Sequence, residues 1–128
     1  MFFGMALKIN TKMRSAADNE VTYLLEGNLD NSTAAMLESQ MMTTLNAKPR
    51  LLIFDLADLK YVTSAGLRLF IMAIKRQKEH GGQVSFVNLQ PQIKEVFAIM
   101  GSLPDVKVFR DTAELDAYLI ARQKTHLP

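Results

Sequence analysis

No cysteine occurs among the 128 residues, which excludes a disulfide framework, a cysteine-based zinc site and a thiol nucleophile. The absence fits a reducing compartment. Charge of one sign is also scarce: 15 Lys and Arg against 13 Asp and Glu leave a formal net charge of +2. No run of roughly five or more cations gathers that charge into the basic face that nucleic acid needs. A membrane-length apolar run is missing as well. Met1–Leu7 is apolar but is interrupted by Lys8, well short of the roughly 20 residues of a spanning helix. It has neither a basic leader nor a small-residue cleavage site. The chain has no Walker-type phosphate loop and no Gly-x-Ser-x-Gly elbow, the signatures of nucleotide hydrolysis and of one large hydrolase class. Repeats, linkers and low-complexity segments are absent too. What remains is 48% apolar and 22% charged, an ordinary globular composition at a length that suits one core. We expect one soluble, cytoplasmic domain over 1–128, with its core at about 5–123.

The pattern alternates strands and helices. Met5–Lys12 and Glu20–Glu26 read as two leading strands, separated by a turn at Ser15–Asn19 and close enough to pair antiparallel. Gly27 ends the second, and Asp30, Asn31, Ser32 and Thr33 offer N-caps for a helix to about Ala47. Its apolar face is Ala34, Leu37, Met41 and Leu45. Leu51–Leu56 is a continuous apolar run suited to a strand buried on both faces. A helix then runs from Ser64 to about His80 and stops at Gly81-Gly82. Gln83–Asn88 is a strand, Pro91 opens a helix ending near Gly101, and Val106–Phe109 is a short strand. Asp111-Thr112-Ala113-Glu114 resembles a capping box for a last helix to about Arg122, with Thr125–Pro128 fraying. Strand–helix–strand units imply parallel pairing with right-handed crossovers.

The most informative segment joins the Leu51–Leu56 strand through a polar link to Tyr61-Val62-Thr63-Ser64-Ala65-Gly66-Leu67-Arg68. It places hydroxyls at a helix N-terminus, where four backbone N–H groups lack partners and negative charge is favoured. Thr63 or Ser64 can simply cap the helix. Alternatively Thr63 caps while Ser64 faces solvent as a modification site. On the same helix Leu67, Phe70, Ile71 and Ile74 fall within roughly 100° of arc and form the expected core face. Ala65, Leu69 and Met72 lie nearly opposite, with Arg76 in line and Arg68 and Lys75 around them. That second stripe is either scattered surface, covered by another part of the chain, or a docking surface with a polar rim.

Catalytic constellations are poor. His80 lies on the Ser64 helix about 24 Å away at ~1.5 Å per residue, too far to act as its base, and His126 lies in the tail. Asp55 and Asp58 could pair as acid and base, but carboxylates in such a link more often cap or face water. Asp55 after a strand also invites a receiver-like reading, phosphorylated on aspartate. Glu26 and Asp30 are poorly spaced for the magnesium-binding acidic pair this needs. We expect no enzyme, no cofactor and no metal.

The chain resembles the STAS-domain family, in particular the anti-sigma factor antagonists of bacterial partner switching. Gly27-Asn28-Leu29-Asp30 with Thr33-Ala34 looks like the family's Gly-x-Leu-Asp segment. Leu52–Leu56 with Tyr61–Leu67 looks like its signature block, and Phe86-Val87-Asn88 and Phe97–Gly101 look like its later strand and helix. The resemblance implies an α/β fold with a mixed, mostly parallel sheet of about five strands and about four helices mainly on one side. It implies that a serine kinase, itself the anti-sigma factor, phosphorylates Ser64, that the unmodified form binds this partner, and that a phosphatase resets the switch. Many members have Asp before the phosphoserine; this chain has Thr63, a secondary acceptor candidate. Asp30 is the expected neighbour of the site, and Ala65, Arg68, Leu69, Met72 and Arg76 are the expected partner contacts. The free chain is expected to be a monomer. The family also includes STAS modules in secretion, transporters and signalling scaffolds.

Overall fold

A computed structural model describes residues 6–15, 19–99 and 106–125. Along them run β1 (Leu7–Ser15), β2 (Glu20–Leu29), α1 (Ala34–Asn46), β3 (Leu51–Val62), α2 (Ser64–Glu79), β4 (Gln83–Val87), α3 (Pro91–Ile99), β5 (Val106–Phe109) and α4 (Thr112–Thr125). The expectations that fall on Met5, residues 16–18, Gly101 and residues 126–128 lie outside the described residues.

The strands lie side by side in chain order. β1 is antiparallel to β2, and β2 to β5 are parallel, the mixed sheet expected. Parallel strands added in order with right-handed crossovers put every crossover helix on one face. Leu37, Met41 and Leu45 of α1, Leu69, Phe70 and Ala73 of α2, and Ile93 of α3 accordingly share one core with Tyr23, Phe54 and Phe86. α4 follows the last strand and escapes that constraint. Its Leu115 packs with Leu51, Ile53, Val87 and Phe109 in a second, smaller core. β3 therefore sends Leu52 and Phe54 into one core and Leu51 and Ile53 into the other, which explains its unbroken apolar run.

Aromatic rings fill the centre of the larger core. Phe54 stacks on Phe86 with centroids 5.4 Å apart and meets Phe70 at 5.0 Å. Phe97 of α3 closes the cluster against Phe86 at 5.0 Å. At the sheet end where β2 begins, the buried Glu20 carboxylate accepts hydrogen bonds from Arg14 (3.0 Å) and Arg50 (2.8 Å), and Arg14 also pairs with Asp116 of α4. A buried carboxylate is tolerated there because it is paired. At the start of α4 half of the expected capping box forms: Asp111 accepts the Glu114 N–H at 2.9 Å, while Glu114 reaches back to the N–H of Arg110, at 2.9 Å, rather than to that of Asp111.

Two strand ends differ from the sequence reading. Gly27 does not end β2. It sits within the strand at φ +106, where a Cβ would lie 2.3 Å from the Ala6 carbonyl oxygen; only glycine fits comfortably. The polar link after Leu56 is also strand. β3 carries an extra residue against β2 in two places, between its pairings of Asp55 and Asp58 and of Leu59 and Tyr61. Each bulge resets which side chains face inward, so Leu56, Leu59 and Val62 are all buried. A two-residue alternation does not detect that spacing. Gln90 and Gln92 steady the bulged segment by donating to the carbonyls of Ala57 (2.6 Å) and Lys60 (3.1 Å).

Candidate functional site

Parallel strands deliver their following helices at one edge of the sheet. β2 ends at Leu29 and β3 at Val62, and these two are register partners. The Thr63 N–H donates to the Leu29 carbonyl at 3.0 Å. The Asp30–Thr33 loop and the turn into α2 are therefore neighbours.

Thr63 holds the N-cap position with extended backbone, φ −101 and ψ 178. Its carbonyl accepts the Leu67 N–H at 3.0 Å, so helical geometry begins at Ser64. The expected side-chain cap is not made: Thr63 Oγ1 is buried and has no hydrogen-bond partner among the described residues. Nor does the first turn of α2 carry an acidic residue. Ser64 is exposed, so its hydroxyl stands in water beside first-turn amides that the N-cap side chain leaves free. A buried hydroxyl with no partner costs about 1–3 kcal/mol. Thr63→Val keeps the branched shape and removes that hydroxyl, so we expect urea denaturation to show a gain of about 1 kcal/mol. A loss of similar size would mean that the hydroxyl has a partner.

Gly66 explains how closely α2 approaches the sheet. A Cβ there would lie 2.5 Å from Leu29 Cγ and 2.8 Å from Val62 Cγ2, the last residues of β2 and β3. Both neighbours are buried and have little room to move. Ala is favoured over Gly in a helix by about 1 kcal/mol, but overpacking a tight site costs more. We expect Gly66→Ala to destabilise the fold by about 1–3 kcal/mol in chemical denaturation.

Asp30 braces its own loop. Its Oδ1 accepts the Ser32 N–H at 2.9 Å and the Ser32 hydroxyl at 2.6 Å, and these bonds hold its carboxyl below the usual aspartate value. Thr33 Oγ1 donates to the Asn28 carbonyl and accepts the Asp30 N–H, both at 2.9 Å. Asp30 is thus a fixed negative charge beside the turn, and its described side-chain bonds run to Ser32 and Thr33.

The two faces expected of α2 are corrected. Its buried residues are Gly66, Leu69, Phe70, Ala73 and Gln77. The inward direction is rotated by about 90° from the expected Leu67–Ile74 face, at ~100° per residue. Leu67 and Ile74 flank the core on one side and Met72 on the other, while Ile71 is half-exposed. Leu69, on the stripe read as scattered surface, as covered by the chain or as a docking surface, is only 6% exposed, which fits the covered alternative. Arg76 turns to α1, donating to Asn46 Oδ1 at 3.0 Å and reaching Met42 Sδ at 3.6 Å. α1 thus covers much of the stripe, leaving Ala65 and Met72 partly exposed and Arg68 exposed. Gly66, Ala73 and Gln77 escape a hydrophobicity reading because they are small or polar, yet they lie deepest. Gln77 is accommodated by donating to the Pro49 and Gln83 carbonyls at 2.9 and 3.0 Å and bonding His80.

The other titratable candidates do not converge on Ser64. Asp55 Oδ1 accepts from the Ala57 N–H and from Asn88 Nδ2, each at 3.1 Å, which braces a bulge to the residue that follows β4. Asp58 is exposed, His80 caps the buried Gln77 amide, and His126 lies outside the described residues. Among the described residues no group of three His, Asp or Glu could hold a metal ion, and no helix is long and apolar enough to cross a membrane. One side chain that sequence reasoning passed over is Tyr61. It is 55% exposed on the bulged end of β3, three positions before Ser64; only the bulges, invisible in the pattern, carry it to this edge.

This architecture, with an exposed serine opening the helix after the central strand, is that of a STAS domain. The STAS domain family model matches residues 9–115, and the chain belongs to that family, of the anti-sigma factor antagonist type. It is 30% identical over 86 residues to BtrV of Bordetella bronchiseptica, a candidate anti-sigma factor antagonist, covering 67% of this chain and 74% of that one. Among solved structures, a candidate anti-sigma factor antagonist of Thermotoga maritima has TM-score 0.78 and 17% identity, covering 86% of this chain and 92% of that one. The anti-sigma factor antagonist SpoIIAA in its unphosphorylated form has TM-score 0.70 and 16% identity, covering 89% and 98%. Its phosphorylated form, from Bacillus, has TM-score 0.68 and 18% identity, covering 87% and 99%. At these identities the structural matches establish the fold.

Proposed function

We propose that this protein is a phosphorylation-controlled binding switch that antagonises an anti-sigma factor. The unmodified chain binds an anti-sigma factor that is also a serine kinase. That kinase phosphorylates Ser64, the modified chain dissociates, and a phosphatase restores it. The observation that carries this reading is the exposed Ser64 hydroxyl on the first residue of α2, beside first-turn amides with no side-chain cap. A phosphate adds a charge of about −1.5 to −2 there without entering the core. Release then follows from repulsion and desolvation at the partner surface. That both forms of SpoIIAA match this fold supports a local effect without refolding.

The docking surface in this reading is the sheet edge around Ser64. Ala65, Arg68, Met72 and Tyr61 face the partner, and Asp30 adds a fixed charge. Leu69 and Arg76 act from behind, anchoring α2 to the core and to α1. The chain works in the cytoplasm as a monomer until it binds. Thr63, with its hydroxyl buried, is a poor acceptor. The test is phosphorylation by an anti-sigma factor of the serine-kinase type from the same organism, with ATP and magnesium. We expect one phosphate per chain, retained in Thr63→Val and absent from Ser64→Ala. Incorporation that persists in Ser64→Ala would contradict the assignment.

A further inference from the structure

The exposed ridge of α2 runs Ser64, Arg68, Ile71, Lys75, at helical i, i+4, i+7 and i+11 spacing. Its first charged member is Arg68. Among the described residues Arg68 makes no hydrogen bond or ion pair, unlike Arg76 with Asn46 or Arg14 and Arg50 with Glu20. Its helical neighbours at three and four residues are Ser64, Ala65, Ile71 and Met72, so no carboxylate on α2 competes for it. The Asp30 carboxylate in the adjacent loop is held by Ser32.

Building on the reading of Ser64 as the acceptor, we propose that Arg68 is the intramolecular counter-ion of the Ser64 phosphate. Two features of helix geometry make the pair favourable. Side chains lean toward the helix N-terminus, so a long residue covers the turn before its own Cα; Arg68 therefore leans over residue 64. An anion four residues before a cation is also the favourable order for an i,i+4 pair. The planar guanidinium can donate two parallel hydrogen bonds to phosphate oxygens. Lys75 lies about 16 Å from Ser64 along the axis at ~1.5 Å per residue, beyond the screening length of about 8 Å at physiological salt. Phosphorylation then changes the ridge twice: it adds a dianion and occupies the leading cation. A partner that meets the unmodified ridge with acidic groups loses an attraction and gains a repulsion from one event. The other charged groups on the elements around the start of α2 are Asp30, Glu38 of α1, which runs beside α2, and Asp58, Lys60 and Lys94, all common to the variants compared below.

The experiment needs no partner. Phosphoserine is incorporated at position 64 during translation, and the phosphate's second ionisation is followed by phosphorus NMR in the wild type, Arg68→Gln and Lys75→Gln. First-turn amides act alike in all three. Free phosphoserine titrates near pH 6. We expect the wild-type midpoint below that, a rise of about 0.5 pH units in Arg68→Gln, and no change in Lys75→Gln. Equal midpoints in wild type and Arg68→Gln, or an equal rise in both variants, would overturn the counter-ion role. Failure of the Ser64 switch itself would appear separately, as phosphorylation by the kinase at another residue.

Discussion

Phe54→Ala is expected to remove about 3–5 kcal/mol of stability, the usual cost of deleting a buried aromatic ring. Phe54 is 0% exposed and is the hub of the ring cluster, 5.4 Å from Phe86, 5.0 Å from Phe70 and 5.9 Å from Tyr23 between centroids. Those partners come from β4, α2 and β2, so the cavity would open where three elements converge. Rigid aromatic neighbours collapse poorly into such a space, which favours the upper part of the range. Domains of this size have about 5–15 kcal/mol in total, and the melting temperature should fall by roughly 10–20 °C. Thermal unfolding followed by circular dichroism checks this. A fall of only a few degrees would mean that the core closes around the missing ring.

Ser64→Asp should separate binding from stability by sign. Ser64 is exposed, and α2 has no acidic residue in its first turn. A carboxylate there meets the positive end of the helix dipole and should stabilise the fold by about 0.3–1 kcal/mol. The same charge, placed against a docked partner, should weaken binding to the anti-sigma factor kinase by about a hundredfold, or ~2.7 kcal/mol. Ser64→Ala should leave affinity within a few-fold of wild type, since it adds neither bulk nor charge. A variant that folds better and binds worse cannot be explained by damage to the domain. Calorimetric titration beside chemical denaturation gives both quantities, and equal binding by the Asp and Ala variants would remove the switch from the account.

How far the sequence anticipates this molecule depends on which force dominates at each position. α1 reads correctly because Leu37, Met41 and Leu45 are large, apolar and one helical face apart, and that face is buried. The antiparallel opening pair, the parallel crossovers and the cap of α4 follow equally well from local chemistry and chain connectivity. Ser64 is legible as the first residue of α2 because turn residues and helix start coincide there. The misreadings share a different cause. Gly66, Ala73 and Gln77 mark the deep side of α2 by being small or by finding backbone partners, neither of which registers as hydrophobicity. Ala57–Lys60 looks like a loop because two bulges break the alternation that identifies strands. Leu69 looks like a surface residue only until α1 is laid beside α2. Each is a tertiary fact, set by how closely one element approaches another.

The most direct measurement is the affinity of the anti-sigma factor kinase for this chain, compared by calorimetric titration before and after full phosphorylation of Ser64. The account predicts a loss of about a hundredfold or more, with the far-ultraviolet spectrum unchanged. Equal affinity of the two forms would contradict it.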